Sequence, residues 1–406
     1  MKRRIGYAAA LVLTLGAPLA WGSGFHLEEY HAAYVGQATA GITMSESAGV
    51  VATLPAAMVR LPRGVHALGG VTRYDSRFEA TGLDGSDPAH TIHGPSVVPH
   101  LYGVHNNGDW AWGIGQYYPF GVKIAWREDW PGRRLFTEQG LSVGYTSLVG
   151  AYALGETVSL GVGLNRAAGT AVQKKFTSTP LAPGIEVLTV VEAHATEWVW
   201  NLSLLHDTGT FAAALIHAPP YTLKGQGTVE FAPGNPLGLK NQGVRADLLL
   251  PSVTEAALSY RDAREHPTWF AEFTVVRTGW SNYRELRIRF DALPDSVTER
   301  DWKDTTGYKL GGNVTVARGT DSTHRLRAGV FLDESPSPNH RQRPGEDGAG
   351  RTNAAAGYGY LRGDFRLDLA YFLVSHNPSR TLQDNEFPAR HRARVDILSA
   401  SLGYRW

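Results

Sequence analysis

The last ten residues, Ile397 to Trp406, alternate throughout and end on an aromatic side chain. Leu398, Ala400, Leu402, Tyr404 and Trp406 share one face, and Ser399, Ser401, Gly403 and Arg405 share the other. Successive side chains of a β-strand point to opposite faces, so this strand has one oily face and one small or polar face. In a soluble sandwich the oily face would meet a second sheet. In a transmembrane barrel it would meet lipid, with the terminal aromatic residue in the interfacial girdle. A free C-terminal aromatic on such a strand is also what outer-membrane barrels present to their assembly machinery, which makes that machinery an expected partner.

The other end of the chain reads as an export signal. Lys2, Arg3 and Arg4 precede an apolar run from Ala8 to Leu15, and Ala20-Trp21-Gly22 offers small residues for cleavage, so residues 1–22 are expected to be removed. The apolar run is too short to cross roughly 30 Å of hydrocarbon as a helix, and no later stretch approaches the roughly 18 apolar residues that need. A barrel escapes that test, because only every second residue must be apolar. The chain has no cysteine, which excludes a disulfide scaffold, a thiol nucleophile and a thiolate metal site. A net charge of +1 leaves no excess of basic residues to neutralise phosphates, so no nucleic-acid partner is expected.

From about residue 63 onward the sequence divides into strand-like segments near 64–80, 91–105, 109–122, 139–154, 157–169, 192–206, 210–230, 244–261, 267–290, 305–317, 323–332, 352–362, 365–375 and 393–406. That makes fourteen, an even number, as single-chain bacterial outer-membrane barrels have. Tight turns such as Asn106-Asn107-Gly108 and Asp207-Thr208-Gly209 alternate with longer connections near 123–138, 170–191, 292–304, 333–351 and 376–392. Short periplasmic turns and long outer loops are the asymmetry of a membrane barrel. In the strands, Trp198, Trp200, Leu202 and Leu204 oppose Glu197, Asn201 and Ser203, and Leu326, Ala328 and Val330 oppose Arg325 and Arg327. The fold class expected is therefore all-β, a 14-stranded antiparallel transmembrane β-barrel over residues 63–406. Residues 23–62 lack sustained alternation and are too few for a core of their own, so they are expected to form a small N-terminal hatch inside the barrel.

Other chemistry finds no support. His26 with His31, and His90 with His93, lack the further ligands of a metal site. Gly357-Tyr358-Gly359 is followed by no helix, and no nucleophile-elbow sequence occurs. No cofactor, no metal and no enzymatic activity are expected.

Several short motifs then occur in order. They are Gly24-Phe25, Leu54-Pro55-Ala56, Pro119-Phe120-Gly121 and Trp130-Pro131-Gly132-Arg133, followed by Leu250-Pro251-Ser252-Val253, Trp280-Ser281 and Leu286-Arg287-Ile288. Trp302-Lys303-Asp304, Tyr308-Lys309-Leu310-Gly311, Arg327-Ala328-Gly329 and Asp333-Glu334-Ser335-Pro336 complete the series. With these, nearly the whole mature chain resembles the FadL-type family of outer-membrane long-chain fatty acid and hydrocarbon transporters (FadL, TodX, OmpP1). The resemblance implies a plugged fourteen-stranded barrel that binds a hydrophobic ligand, releases it when the hatch shifts, and lets it leave sideways at a kinked third strand. One motif departs from the family pattern, because Leu54 stands where the hatch asparagine is expected.

The resemblance and the chemistry together nominate residues. Phe25 matches the family's pocket-inserting phenylalanine, and Lys303, Lys309, Arg325, Arg327 and Arg366 are inward cations for a carboxylate head group, unless inward acids such as Glu197, Glu255 or Asp368 claim them. Leu54 and Pro55 in the hatch, with Gly113 and Gly115 in the third strand, are the gating and lateral-opening candidates. Trp126, Trp130, Leu181, Ile185 and Val187 are apolar residues in loops, suited to an outer groove. The expected partners are a hydrophobic small molecule and outer-membrane lipids, with the barrel acting as a monomer. The rival readings are a nonspecific porin, which would lack the hatch, and a surface adhesin barrel.

Overall fold

The computed structural model describes residues 24–406 apart from 86, 180–181, 263–267, 319–321, 339–349, 377–378 and 381–386. The expected signal segment 1–22 and Leu181 lie outside the described residues. Among these residues no helix is long and apolar enough to cross a membrane, a test that says nothing of strands. Fourteen antiparallel strands form a closed barrel. They are β1 (Gly64–Gly82), β2 (Ser96–Asn106), β3 (Trp110–Ala125), β4 (Glu138–Ala153), β5 (Val158–Thr179) and β6 (Ala182–Asp207). Then come β7 (Phe211–Ala218 and Tyr221–Phe231), β8 (Gln242–Leu250 and Ser252–Asp262), β9 (Trp269–Gly279 and Glu285–Phe290) and β10 (Ser296–Glu299 and Thr305–Arg318). The last four are β11 (Ser322–Asp333), β12 (Arg351–Arg362), β13 (Phe365–His376) and β14 (Ala389–Arg405). β14 pairs with β1 along its whole length, from Arg405 opposite His66 to Ala389 opposite Gly82, and this ladder closes the cylinder.

The alternation expected from sequence holds in space. Trp198, Trp200, Leu202 and Leu204 are exposed on the outside, whereas Asn201 and Ser203 are buried within. Two expectations need correction. The connection expected over 170–191 is not a loop: β5 and β6 continue through it, paired as far as Ser178 opposite Glu186. β7, β8 and β9, read as continuous, are each interrupted, and β10, expected to begin at 305 after a loop over 292–304, carries a further short piece at Ser296–Glu299 within that loop. Pro219-Pro220 and Pro251 break β7 and β8, a 3₁₀ turn over Trp280–Asn282 breaks β9, and residues 300–304 break β10. Proline removes a ladder donor, which explains the first two breaks. The ladder between β8 and β9 stops at Ala246 opposite Ile288 and resumes at Ser252 opposite Gly279.

Residues 24–62 form two single-turn helices, Ala32–Val35 and Val50–Thr53, and a 3₁₀ helix, Pro55–Arg60, almost wholly buried against inward-facing barrel side chains. Polar residues of the wall hold them. Glu272 on β9 accepts hydrogen bonds from the backbone N–H of Gly41, of Ile42 (2.8 Å) and of Thr43 (2.9 Å), and from the Thr43 hydroxyl. Arg366 of β13 reaches the Glu46 carboxylate at 2.7 Å and its carbonyl at 2.9 Å, and Arg325 of β11 pairs with the same carboxylate. The glycines at 311 and 329 face inward where the Gln37 carbonyl comes so close that a Cβ on either would collide with it.

Glu272→Ala removes the acceptor of three buried backbone donors, and each unpaired donor costs roughly 1–3 kcal/mol. The expected outcome is a folded barrel whose segment 24–62 is cut readily by protease. Equal protease resistance in the variant and the parent would contradict it.

Candidate functional site

The wall is irregular at one further place, on β3. The β2–β3 ladder runs from Asn106 opposite Ala111 to Leu101 opposite Gln116 and ends there, while β3 continues to Ala125. On the other side of β3 the register against β4 shifts between Tyr117 and Phe120, around Pro119. β3 and the chain before β2 meet again where the Ile92 N–H donates to the Ala125 carbonyl at 2.8 Å and the Ala125 N–H donates to His93 Nδ1 at 3.3 Å. Between these limits β3 has lost its β2 partner. The N-terminal segment takes the vacated edge: the Leu27 N–H donates to the Pro119 carbonyl (2.8 Å), the Gly121 N–H donates to the Phe25 carbonyl (3.0 Å), and His26 bridges Phe120.

The Phe25 side chain leaves this short ladder and crosses to the interrupted side of the barrel. Its ring lies 4.8 Å from Trp280, 5.7 Å from Trp302 and 6.2 Å from Tyr283, edge-on or tilted, as aromatic pairs prefer. Gly24 makes this possible. Its φ is +67°, and a Cβ there would stand 2.8 Å from Trp280 and 2.9 Å from Trp302.

Phe25 also lines a cavity of about 120 Å³ within the barrel. Its walls are largely aliphatic, with Leu141, Val172, Leu223, Leu248, Leu286 and Ile288 prominent. Polar groups are few: Gln139, Thr170, Gln173, His194 and the buried Arg300, whose guanidinium lies 5.8 Å from the centre of the Tyr283 ring. A mostly apolar pocket with a small number of convergent polar groups is the usual form of a small-molecule site.

A family model described as outer membrane protein transport protein (OMPP1/FadL/TodX) matches residues 13–406. The chain belongs to this FadL/TodX family. A long-chain fatty acid transport protein from Salmonella typhi is 23% identical over 415 residues, covering 94% of this chain and 93% of that protein. Among solved structures, a FadL homologue from Pseudomonas aeruginosa superimposes with a TM-score of 0.82 at 17% identity, covering 94% of this chain and all of that one. The toluene transporter TodX from P. putida does so with a TM-score of 0.71 at 15% identity, over 94% of this chain and 99% of that one. Members of the FadL/TodX family are outer-membrane transport proteins, and the outward face of this barrel is apolar, as such a location requires.

Of the residues nominated from sequence, the structure brings Phe25 to the cavity. The five cations lie elsewhere. Lys309 is buried 2.5 Å from Glu28 of the N-terminal segment and 3.0 Å from Glu255. Arg327 pairs with Asp368 at 2.9 Å, Arg325 and Arg366 hold Glu46, and Lys303 is exposed. Gly113 and Gly115 sit in the regularly paired part of β3, facing Val51, so the kink in this strand belongs to Pro119 and not to them. Leu54 is fully buried and Pro55 opens the 3₁₀ helix. Where the family asparagine is missing, the barrel hydroxyls of Ser203 and Ser159 bond the Ala56 N–H (2.9 Å) and carbonyl (2.8 Å). Trp126 and Trp130 are not on an open groove: they stack at 4.6 Å in a small loop core with Phe136 and Phe387. Ile185 is half-buried and Val187 is buried, both on β6. Arg300 escaped the sequence reading because it lies in the break of β10, where no alternation marks it as inward.

His26 sits in the bridge to β3, fully enclosed, with Nδ1 3.6 Å from Glu28. Burial outweighs that carboxylate and, with Lys309 nearby, lowers its pKa to about 4. His31 is lowered likewise by burial, to about 3, whereas burial raises Glu29. A histidine whose docked pKa lies below its free value near 6.5 contributes stability above pH 6.5 and loses it as pH falls towards 4. For His26 the loss reaches about 3 kcal/mol. A fluorophore on an introduced cysteine at position 23 should report release of the segment over that window, with a flatter response in His26→Phe. Identical pH responses in the two proteins would contradict this.

Proposed function

We propose that this chain takes up hydrophobic molecules bearing a carboxylate, long-chain fatty acids foremost, by binding them in the Phe25 cavity and releasing them sideways between β2 and β3. The observation that carries the reading is that one short segment serves both places: residues 25–27 complete the β3 edge, and Phe25 lines the cavity. Displacing that segment would open the cavity and the wall together. In this reading residues 24–62 are a hatch within a membrane-inserted monomeric barrel, and β14 with Trp406 is the signal read by the assembly machinery.

The ligand class follows from the lining. An apolar chain gains roughly 25 cal/mol for each Å² it withdraws from water. A carboxylate carried inside with it needs donors, and Arg300 with Gln139 and Thr170 can supply them. An aromatic hydrocarbon, such as the toluene named for the P. putida transporter, would have no use for Arg300. That favours the acid.

The test is equilibrium binding of oleate and of toluene to the detergent-purified protein and two variants. Arg300→Gln should weaken oleate about 10- to 100-fold, the value of a lost charge-assisted hydrogen bond, and leave toluene unchanged. Phe25→Ala should weaken both. Unaltered oleate affinity in Arg300→Gln would remove the fatty-acid assignment, and saturable binding of neither ligand would remove the transport reading.

A further inference from the structure

On the outside of the barrel the even-numbered residues of β14 form one column. Tyr404, Leu402 and Leu398 are exposed in its lower part, and Arg394, Arg392 and Arg390 are exposed above them, with Asp396 at the boundary. The neighbouring column on β1 continues the pattern, with Arg73 opposite Leu398, Asp75 opposite Asp396, Arg77 opposite Arg394 and Glu79 opposite Arg392. We propose that this outward arginine patch binds the phosphate groups of an outer-leaflet glycolipid.

Height is the first argument. Arg394 lies twelve residues above Trp406 along a regular strand. At about 3.3 Å per residue and a tilt of about 40°, that is roughly 30 Å above the lower aromatic girdle, just beyond an apolar band about 25 Å tall. The three arginines therefore stand at the level of lipid head groups, directly above side chains that contact acyl chains. Tyr371 and Leu369 of β13, beside Leu398 and Ala400, extend that apolar platform.

Uncompensated charge is the second. Five arginines face three carboxylates on these two strands. Arg394 is held by Asp396 at 2.8 and 3.0 Å, Arg77 lies 3.4 Å from Asp75, and Arg73 lies 4.0 Å from it. Arg390 and Arg392 make no ion pair among the described residues. Arg77 and Arg394 stand directly across the ladder from each other, as Arg245 and Arg289 do between β8 and β9, so the difference between the two faces lies in their carboxylates. The outward arginines of β8 and β9 differ. Arg289 has Asp247 at 2.9 Å, Arg287 has Glu285 at 2.9 Å, and Arg245 has Asp291 at 3.9 Å. Among the described residues, one face neutralises itself, and the other keeps Arg390 and Arg392 without an ion pair. Guanidinium groups match phosphate oxygens two at a time, and an exposed patch beside lipid makes a head-group phosphate the natural occupant.

The test is native mass spectrometry of the detergent-solubilised full-length barrel with a diphosphorylated glycolipid and with its dephosphorylated form, with and without millimolar inorganic phosphate. The parent protein should retain the phosphorylated lipid at least about tenfold better, less so at high salt, and inorganic phosphate should not displace it. Arg390→Gln/Arg392→Gln should lose that preference while keeping the parent's heat-dependent gel migration and oleate binding. Equal retention of both lipids by the parent, an unchanged preference in the double variant, or full displacement by inorganic phosphate would each overturn the proposal. Oleate binding reads the cavity separately, so failure here leaves the transport reading untouched.

Discussion

Every backbone amide at hydrocarbon depth must find its partner within the protein, and between Gln116 and Ala125 β2 does not supply one to the edge of β3 that faces it. Pro119 shifts the register on the β4 side, and β2 turns away on the other. The deficit is met from inside by the Leu27 N–H and the Phe25 carbonyl. Much else follows from that substitution. A strap hydrogen-bonded to the wall fixes where Gly24 and Phe25 must stand, and their position completes both the aromatic cluster around Trp280 and the lining of the cavity.

The interrupted strands on the other side of the barrel answer the same constraint differently. Breaks in β7, β8, β9 and β10 lie side by side, because Leu250 pairs with Tyr221, Ser252 with Gly279 and Thr278 with Thr305. Trp280, Tyr283 and Trp302 fill the space that regular strands would have occupied. Phe25 thus touches the irregular region of each side at once, at Phe120 and at Trp280. Glu272 beneath Gly41 to Thr43 and Arg366 beneath Glu46 hold the rest of the segment away from this strap, and Lys309 beneath Glu28 fixes the residue that follows it. On the proposed reading, the end of the segment can move while its body stays docked.

Sequence alternation made the barrel legible, because a strand with lipid on one side and a polar lumen on the other writes its period directly into the chain. It also made Lys309, Arg325 and Arg327 visible as inward cations. It could not show that Glu28 and Glu46, in a segment without periodicity, come to meet them. The upper hairpin of β5 and β6 was missed because Val187 and Val191 bury against Val229, Phe231 and Val244, contacts with other strands that local alternation does not show. Pro119, Pro251, Trp280 and Trp302 stood out as motif residues, yet only the register shows that all four mark breaks in the wall. Arg300 was hidden for that reason too, since it belongs to a break.

The central claim is that residues 25–27 close the way out between β2 and β3. The chain lacks cysteine, and His26 faces Phe120 across a pair flanked by hydrogen bonds, where Cα atoms lie about 4.5 Å apart and a disulfide can form. Oleate uptake by cells carrying His26→Cys/Phe120→Cys is therefore the most direct measurement. The account predicts that uptake stops when the pair is oxidised and returns on reduction, with surface expression unchanged throughout. Uptake that continues at the reduced rate with the bridge fully formed would contradict it.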